Sequence, residues 1–478
     1  MSVARLVSLA ILLFLISPFL ILIFHFHQTS LPDFGEAFWA LKNTFYQAIG
    51  SALIAGVMGL GISLGLNGIQ KRIQFVEYLL YLPSFLPPLF LILICMSWID
   101  PFPSGIVAIV FIQSLSYAGL LGVEFSRLFR DKVGAISEVG YVLGFSKSQF
   151  LFQVLRMLKR DFLGLLFLVF ISCFASFAIP LAVGGGRGTT LEVLIYEKIR
   201  ISGNFSEALF LSLLQSLLLI SFVMLLRRRF VQRKNIETRS LTLLSWPFLK
   251  GAVLLYIGSY VFGFLADIPS GWSQLFRIQG LSQAILEVLP LSIVLSLGVG
   301  FVIYIFVMAL AFASREKWIH KFIFSYVTPS TALIGFSYLY LGMSSELMSY
   351  LLFCLGFVLL SICSLYRMGV APVLGGLESQ QIVGMALGAG DFLIARRITW
   401  PQIHQVALKM SGVGAVWALG DFAFSKIIFS RDVTLGLIVE GLMTSYRLGA
   451  AQALMSLILF LGGLIYLFFR GVGYVSRS

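Results

Sequence analysis

The stretch IVGMALGAGDFLIARRITWP, residues 382–401, decides the fold, together with EVGYVLGFSKSQFLFQVLRM, residues 138–157. Each interrupts a chain otherwise saturated with Leu, Phe, Ile and Val. With its glycines, Asp391, Arg396, Arg397 and Pro401, the later stretch is too polar and too broken to cross a bilayer. Leu-Gly recurs in both at the same offset, as Leu143-Gly144 and Leu387-Gly388. The two glycines are 244 residues apart, near half of the 478-residue chain. A repeat of that period predicts a duplicated architecture with one insert per half.

Working outward, composition sets the solvent. The chain is 59% hydrophobic and 12% charged, against roughly 25% charged for a soluble domain. Such a chain uses lipid as its solvent. The net charge of +13 does not signal nucleic-acid binding, because the basic residues fall between apolar runs, where they encode topology. Cys95, Cys173, Cys354 and Cys363 all lie inside apolar runs and read as small core residues. The four histidines have no metal spacing.

Apolar runs long enough to span occur at roughly 5–26, 45–68, 76–99, 104–125, 163–184, 206–226, 246–268, 285–313, 322–342, 348–366, 406–429 and 450–469. The fold class expected is all-α integral membrane, with about twelve transmembrane helices in two pseudo-symmetric six-helix halves. No small-residue cleavage site follows Phe26, so the first run reads as a retained helix. With the N-terminus on the cytoplasmic side, most of the 34 Lys and Arg fall on that side as well. Both inserts and both termini are then cytoplasmic. The domains expected are a first half, 1–226, with a loop at 126–162; a basic linker, 227–245; and a second half, 246–478, with a loop at 367–405.

The insert chemistry predicts helix, glycine turn, helix. Gly144 and Gly388 supply left-handed caps, Ser146 a cap for the next helix, and Asp391 an anion at a helix start. Pro401 is expected to stop or kink the chain before the next span. A short cytoplasmic helix rooted in two spans suits mechanical coupling, since a partner that pushes on it tilts the spans. Other stretches repeat too: TTLEVLIYEKI (189–199) with VTLGLIVEGLM (433–443), and SFAIPLAV (176–183) with DFAFSKII (421–428).

The inserts resemble the cytoplasmic "EAA" loop, E-A-A-x-x-x-G then hydrophobic-Leu-Pro, of permeases in binding-protein-dependent ABC importers. The first copy supplies Glu138, Val139, Gly140, Leu143 and Gly144; the second supplies Ile382, Val383, Gly384, Leu387, Gly388 and Pro401. Ile382 stands where the acid belongs, Met157 where the proline belongs, and neither copy has the Ala pair. The resemblance implies that these loops dock on a separate ATPase dimer, that an extracytoplasmic substrate-binding protein delivers the cargo, and that the chain sits in the bacterial inner membrane. It is similar to members with two fused permease halves, which include thiamine and ferric-iron permeases. Residues 174–200 and 418–454 look closest to the thiamine members.

The chain has no G-x-x-x-x-G-K-[ST], so it is expected to bind no cofactor and to leave ATP to the partner ATPase. Beyond ATPase and binding protein, the partner expected is membrane lipid, with no nucleic acid. For the substrate path, Asp421 in ALGDFAF is the clearest intramembrane acid, with Ser176 at the matching place in the first half. Asp421 reads either as lining a path for a small cation or as a structural acid, paired with Lys426 or hydrogen-bonded in helix packing. GGGRG (184–188) reads as a plain turn or as part of an outer gate. Pro83, Pro87 and Pro88 are expected to break the third span and Pro329 the ninth. An ion-coupled carrier would need more titratable core acids and would leave the inserts unexplained. A membrane-embedded enzyme would need an interfacial His, Asp or Glu cluster.

Overall fold

The computed structural model describes residues 3–25, 32–67, 73–99, 101–226, 242–246, 248–265, 267–314, 316–325, 330–342 and 345–475. Every regular element among them is helical. An apolar chain in lipid must satisfy its backbone polar groups internally, and helices do this within one segment.

In chain order the first ten helices are α1 (Val3–His25), α2 (Phe34–Leu66), α3 (Ile73–Phe85), α4 (Pro88–Trp98), α5 (Ile106–Val142), α6 (Lys147–Met157), α7 (Lys159–Phe174), α8 (Ala178–Val183), α9 (Leu191–Arg200) and α10 (Phe205–Leu226). Then come α11 (Leu249–Leu265), α12 (Ile268–Arg277), α13 (Leu281–Phe312), α14 (Lys317–Ser325), α15 (Thr331–Gly342) and α16 (Glu346–Leu365). A π-turn over Tyr366–Val370 leads into α17 (Ala371–Ala386), α18 (Asp391–Ile394), a second π-turn over Ala395–Thr399, α19 (Trp400–Leu419), α20 (Ala423–Ile428), α21 (Leu435–Thr444) and α22 (Leu448–Val475).

Eight described helices are long and apolar enough to cross a membrane, or nine if α3 and α4 form one broken span. Several of the twelve expected spans prove discontinuous. Pro87 and Pro88 end α3 and start α4, with a 92° bend between them, because a proline lacks the N–H and clashes with the preceding turn. The run at 163–184 breaks between Phe174 and Ala178, and the run at 406–429 between Leu419 and Ala423. Pro329 lies outside the described residues, as does the basic linker over 227–241.

The duplicated plan is visible in the helices themselves. A long helix, a break, a six-residue helix, a ten-residue helix and a second long helix run from α7 to α10, and again from α19 to α22. The side chain of Thr44 on α2 accepts the N–H of Leu191, which opens α9, at 2.8 Å. Ser292 on α13 accepts the N–H of Leu435, which opens α21, at 2.9 Å. A Cβ on Gly50 of α2 would meet Val110 of α5 at 3.3 Å, and one on Gly298 of α13 would meet Cys354 of α16 at 3.1 Å. Both pairs of anchors make α2 and α13 equivalent at one register, with residue 44 matching 292 and residue 50 matching 298.

Compactness cuts the chain differently from the sequence halves. One unit holds Met1–Phe34, Glu192–Val223 and Ser270–Ser478; the other holds Gly35–Leu191 and Met224–Pro269. In the first, α13 packs along α16 and α19, and α1 lies against α13 and α15. Its core runs through Leu295, Val299, Ile303, Phe353, Phe357 and Leu365. In the second, α5 carries α3 and α7, and α11 lies against α4, where Gly263 admits the Trp98 indole.

Candidate functional site: two glycine turns and two broken spans

The first insert is built on α5, which does not end at the expected span limit near 125 but continues to Val142 as one 37-residue helix. Its extension is fastened by charge. Glu77 of α3 takes Arg127 at 2.9 Å and Arg130 at 2.5 Å, and Lys132 pairs with Asp161 of α7 at 2.8 Å. These pairs tie the extension of α5 to α3 and α7.

At the turn the chain reverses through Gly144, whose φ is +74°. The N–H groups of Leu143, Gly144 and Phe145 donate to the carbonyls of Val139, Tyr141 and Gly140 at 3.0, 3.1 and 3.1 Å. The second copy repeats this bond for bond. Gly388 has φ +78°, and Leu387, Gly388 and Ala389 donate to Val383, Met385 and Gly384 at 3.1, 2.9 and 3.1 Å. This is the left-handed helix cap with its crossed pair of backbone bonds, which satisfies orphan carbonyls at a helix end.

The glycine four residues earlier serves packing, not turning, in both copies. A Cβ on Gly140 would meet the Phe150 ring at 2.8 Å, and one on Gly384 would meet Ile398 at 3.1 Å. These glycines let the returning helix fold down on the first. Ser146 then caps α6 in a full capping box with Gln149. Asp391 sits in the first turn of α18, behind Gly390 as its cap. Pro401 does not stop the chain. It occupies the first turn of α19, where its missing N–H costs little, and the π-turn over 395–399 precedes it.

The tips stay apolar and exposed. Leu143 is 68% exposed and Leu387 82%, flanked by Val142 in the first copy and Val383 in the second. Gly140 and Gly384 are buried beneath them. Glu138 lies on α5, with its side chain outside the described residues.

Ser176 and Asp421 occupy matched breaks. Ser176 donates its N–H to the Cys173 carbonyl at 3.1 Å, and Asp421 donates to the Ala418 carbonyl at 3.3 Å. The Asp421 carboxylate turns toward the start of α20. It accepts the Ser425 N–H at 2.9 Å, the Ser425 hydroxyl at 3.1 Å and the Phe424 N–H at 3.5 Å. Lys426 is not its partner; that ammonium pairs with Glu440 of α21 at 2.6 Å.

Two charged residues of α9 go beyond the sequence expectations. Glu192, at 0% exposure, accepts the Ser330 hydroxyl at 2.7 Å, the Ala332 N–H at 3.3 Å and the Gln215 amide at 3.0 Å. It thereby caps α15 from a separate helix. At the other end of α9, Arg200 donates to the Ile427 and Phe429 carbonyls, at the C-terminal end of α20. An anion at one helix start and a cation at another helix end both suit the helix dipole. The signal was present, since two charges bracket the apolar face of LEVLIYEKIR (191–200), but periodicity alone does not say which helices they meet.

An all-α membrane chain with paired broken spans and a matched turn in each half has the form of a transport protein. Residues 58–236 match a family described as binding-protein-dependent transport system inner membrane component. Over that segment the chain resembles the permeases of ABC importers, and its many apolar helices fit a multi-pass membrane protein. Members of this class work with an ABC ATPase and a substrate-binding protein. Neither a curated protein nor a solved structure matches the chain.

Proposed function

We propose that the chain couples to two separate ATPase subunits through the turns at Gly144 and Gly388, and that it passes a small cationic solute such as thiamine, with ferric iron the next choice. One observation carries the coupling: two turns with the same three backbone bonds, each under an exposed apolar tip and each rooted in a spanning helix. In this reading the ATPase dimer closes on ATP, moves both inserts and rocks the helices behind them, while N- and C-termini stay cytoplasmic. The chain itself does no chemistry and holds no cofactor. The cation preference rests on the resemblance of the α8–α9 and α20–α21 regions to thiamine permeases. Asp421 serves it only if the carboxylate leaves its cap during the cycle.

The test is purification of the tagged chain from native membranes, with mass spectrometry of what stays bound. An ATPase at two copies per chain, lost when Gly144→Val and Gly388→Val are combined, is the expected result. A chain that purifies alone and still moves solute on an ion gradient overturns the proposal.

A further inference from the structure

The two repeats provide an internal control on what α2 buries. One face of α2 carries Asn43, Gln47 and Ser51, spaced one turn apart, and it meets Gln113 and Ser114 of α5. All five are buried, with Gln47, Ser51 and Gln113 at 0% exposure. The bonds are local to this seam. Asn43 donates to the Thr189 carbonyl at 3.1 Å, Gln47 to the Cys173 carbonyl at 2.8 Å, and the Ser51 hydroxyl to Gln113 Oε1 at 2.8 Å. Ser114 donates to the Val110 carbonyl at 2.6 Å.

The register fixed by Thr44 with Ser292, and by Gly50–Val110 with Gly298–Cys354, names the counterparts in the other repeat. They are Leu291, Leu295 and Val299 on α13, and Phe357 and Val358 on α16. Five polar side chains in one repeat correspond to five apolar ones in the other. Leu295, Val299, Phe357 and Val358 belong to one continuous core with Leu291 packed against it, so the same backbone arrangement packs with hydrocarbon side chains at these places. Polar groups inside a membrane protein are expensive and mark function by default. Two atoms of the seam sharpen the point: Gln47 Oε1, an acceptor, and Gln113 Nε2, a donor, are buried with no hydrogen-bond partner among the described residues. Leaving such an atom unpaired costs about 1–3 kcal/mol.

Building on the permease reading, we infer that the Asn43–Gln47–Ser51–Gln113–Ser114 seam opens during transport and contacts the cargo, recognising an uncharged group that both donates and accepts hydrogen bonds. The seam carries no formal charge, so it suits the carboxamide, hydroxyl or aminopyrimidine part of an organic solute and not a bare metal ion, which wants anionic oxygen, nitrogen or sulfur ligands. Recognition is one-sided, because the matched face of the other repeat is sealed by hydrocarbon.

The test uses the chain with its partners in native membranes and a charged, membrane-impermeant methanethiosulfonate as the probe. Ser51→Cys and Ser114→Cys are nearly isosteric with the residues they replace; Val299→Cys and Val358→Cys are their counterparts. Leu143→Cys, on an exposed tip, is the positive control. Peptide mass spectrometry reads each site separately, so the four native cysteines remain. Labelling is followed without nucleotide, with ATP, and with ATP plus vanadate. The expected result is labelling at 51 and 114 at least about tenfold faster than at 299 and 358 in one of these states. Silence at 51 and 114 in every state, with Leu143→Cys labelled, overturns the inference, and so does equal labelling of the two repeats. The same tagged preparation reports the ATPase. An ATPase present with a silent seam sinks the seam alone, whereas its absence sinks the permease reading on which the seam depends.

Discussion

At the residue scale, Gly144 and Gly388 show what only glycine supplies. Both hold φ above +70°, and no neighbour lies within 4 Å of where a Cβ would stand. Space is therefore not the constraint; backbone conformation is, at about 1–2 kcal/mol for an L side chain. Gly140 and Gly384 are the reverse case, in which a Cβ meets Phe150 or Ile398. Gly144→Ala and Gly388→Ala are expected to leave the chain folded in the membrane and to weaken ATPase retention, whereas Gly140→Leu drives α6 off α5 and lowers the melting temperature of the purified chain. Size-exclusion profiles and thermal melts separate the two. Asp421 is also decided at this scale. Its carboxylate accepts bonds at the start of α20, so Asp421→Ala loses a cap worth about 0.5–2 kcal/mol, while Asp421→Asn keeps an acceptor. Thermal melts are expected to fall for the alanine variant and to stay near the parent for asparagine. Normal uptake by Asp421→Asn would exclude its charge from the cargo path.

At the element scale, α9 acts as a clasp. Its first turn caps α15 through Glu192, and its last turn caps α20 through Arg200. Replacing Glu192 by Leu strands the Ser330 hydroxyl, the Ala332 N–H and the Gln215 amide together. With each orphan costing about 1–3 kcal/mol, the loss exceeds that from any single cap. Glu192→Leu is expected to lower the melting temperature more than Asp421→Ala, and Glu192→Gln to lie between the parent and Glu192→Leu because it keeps one acceptor. If Glu192→Leu melts like the parent, the clasp is not a stabilising contact. The broken spans belong to this scale as well. Apolar runs at 163–184 and 406–429 were long enough to cross, and hydropathy alone reads them as single helices. The breaks at Ser176 and Asp421 part α8 from α7 and α20 from α19, and an apolar count does not register where a run is interrupted.

At the scale of the whole molecule, the duplicated plan carries two opposite lessons. The turns are alike, bond for bond, which suits two like partners. The α2 and α13 faces are unlike, polar against apolar, which suits one cargo that is not itself symmetric. Converting the seam to its counterpart, with Gln47→Leu and Gln113→Phe, is expected to leave the melting temperature unchanged or raised and to abolish transport by the assembled complex. A fall in melting temperature with transport intact would make the seam a structural element. This trade of stability against activity is the common cost of a working site.

The class, the repeat period, the inserts and their glycine turns were legible in the sequence because each is local: hydropathy along a run, spacing between glycines, a cap beside its helix. The tertiary structure alone decided which helices group together, since α1 and residues 192–223 join the compact unit of the second half. It also decided that Lys426 pairs with Glu440, that Asp421 caps α20, and that Asn43, Gln47 and Ser51 meet Gln113. The physical reason is the same each time. A polar group in an apolar chain must find a partner, and that partner is set by packing between segments far apart in sequence, which no window along the chain contains.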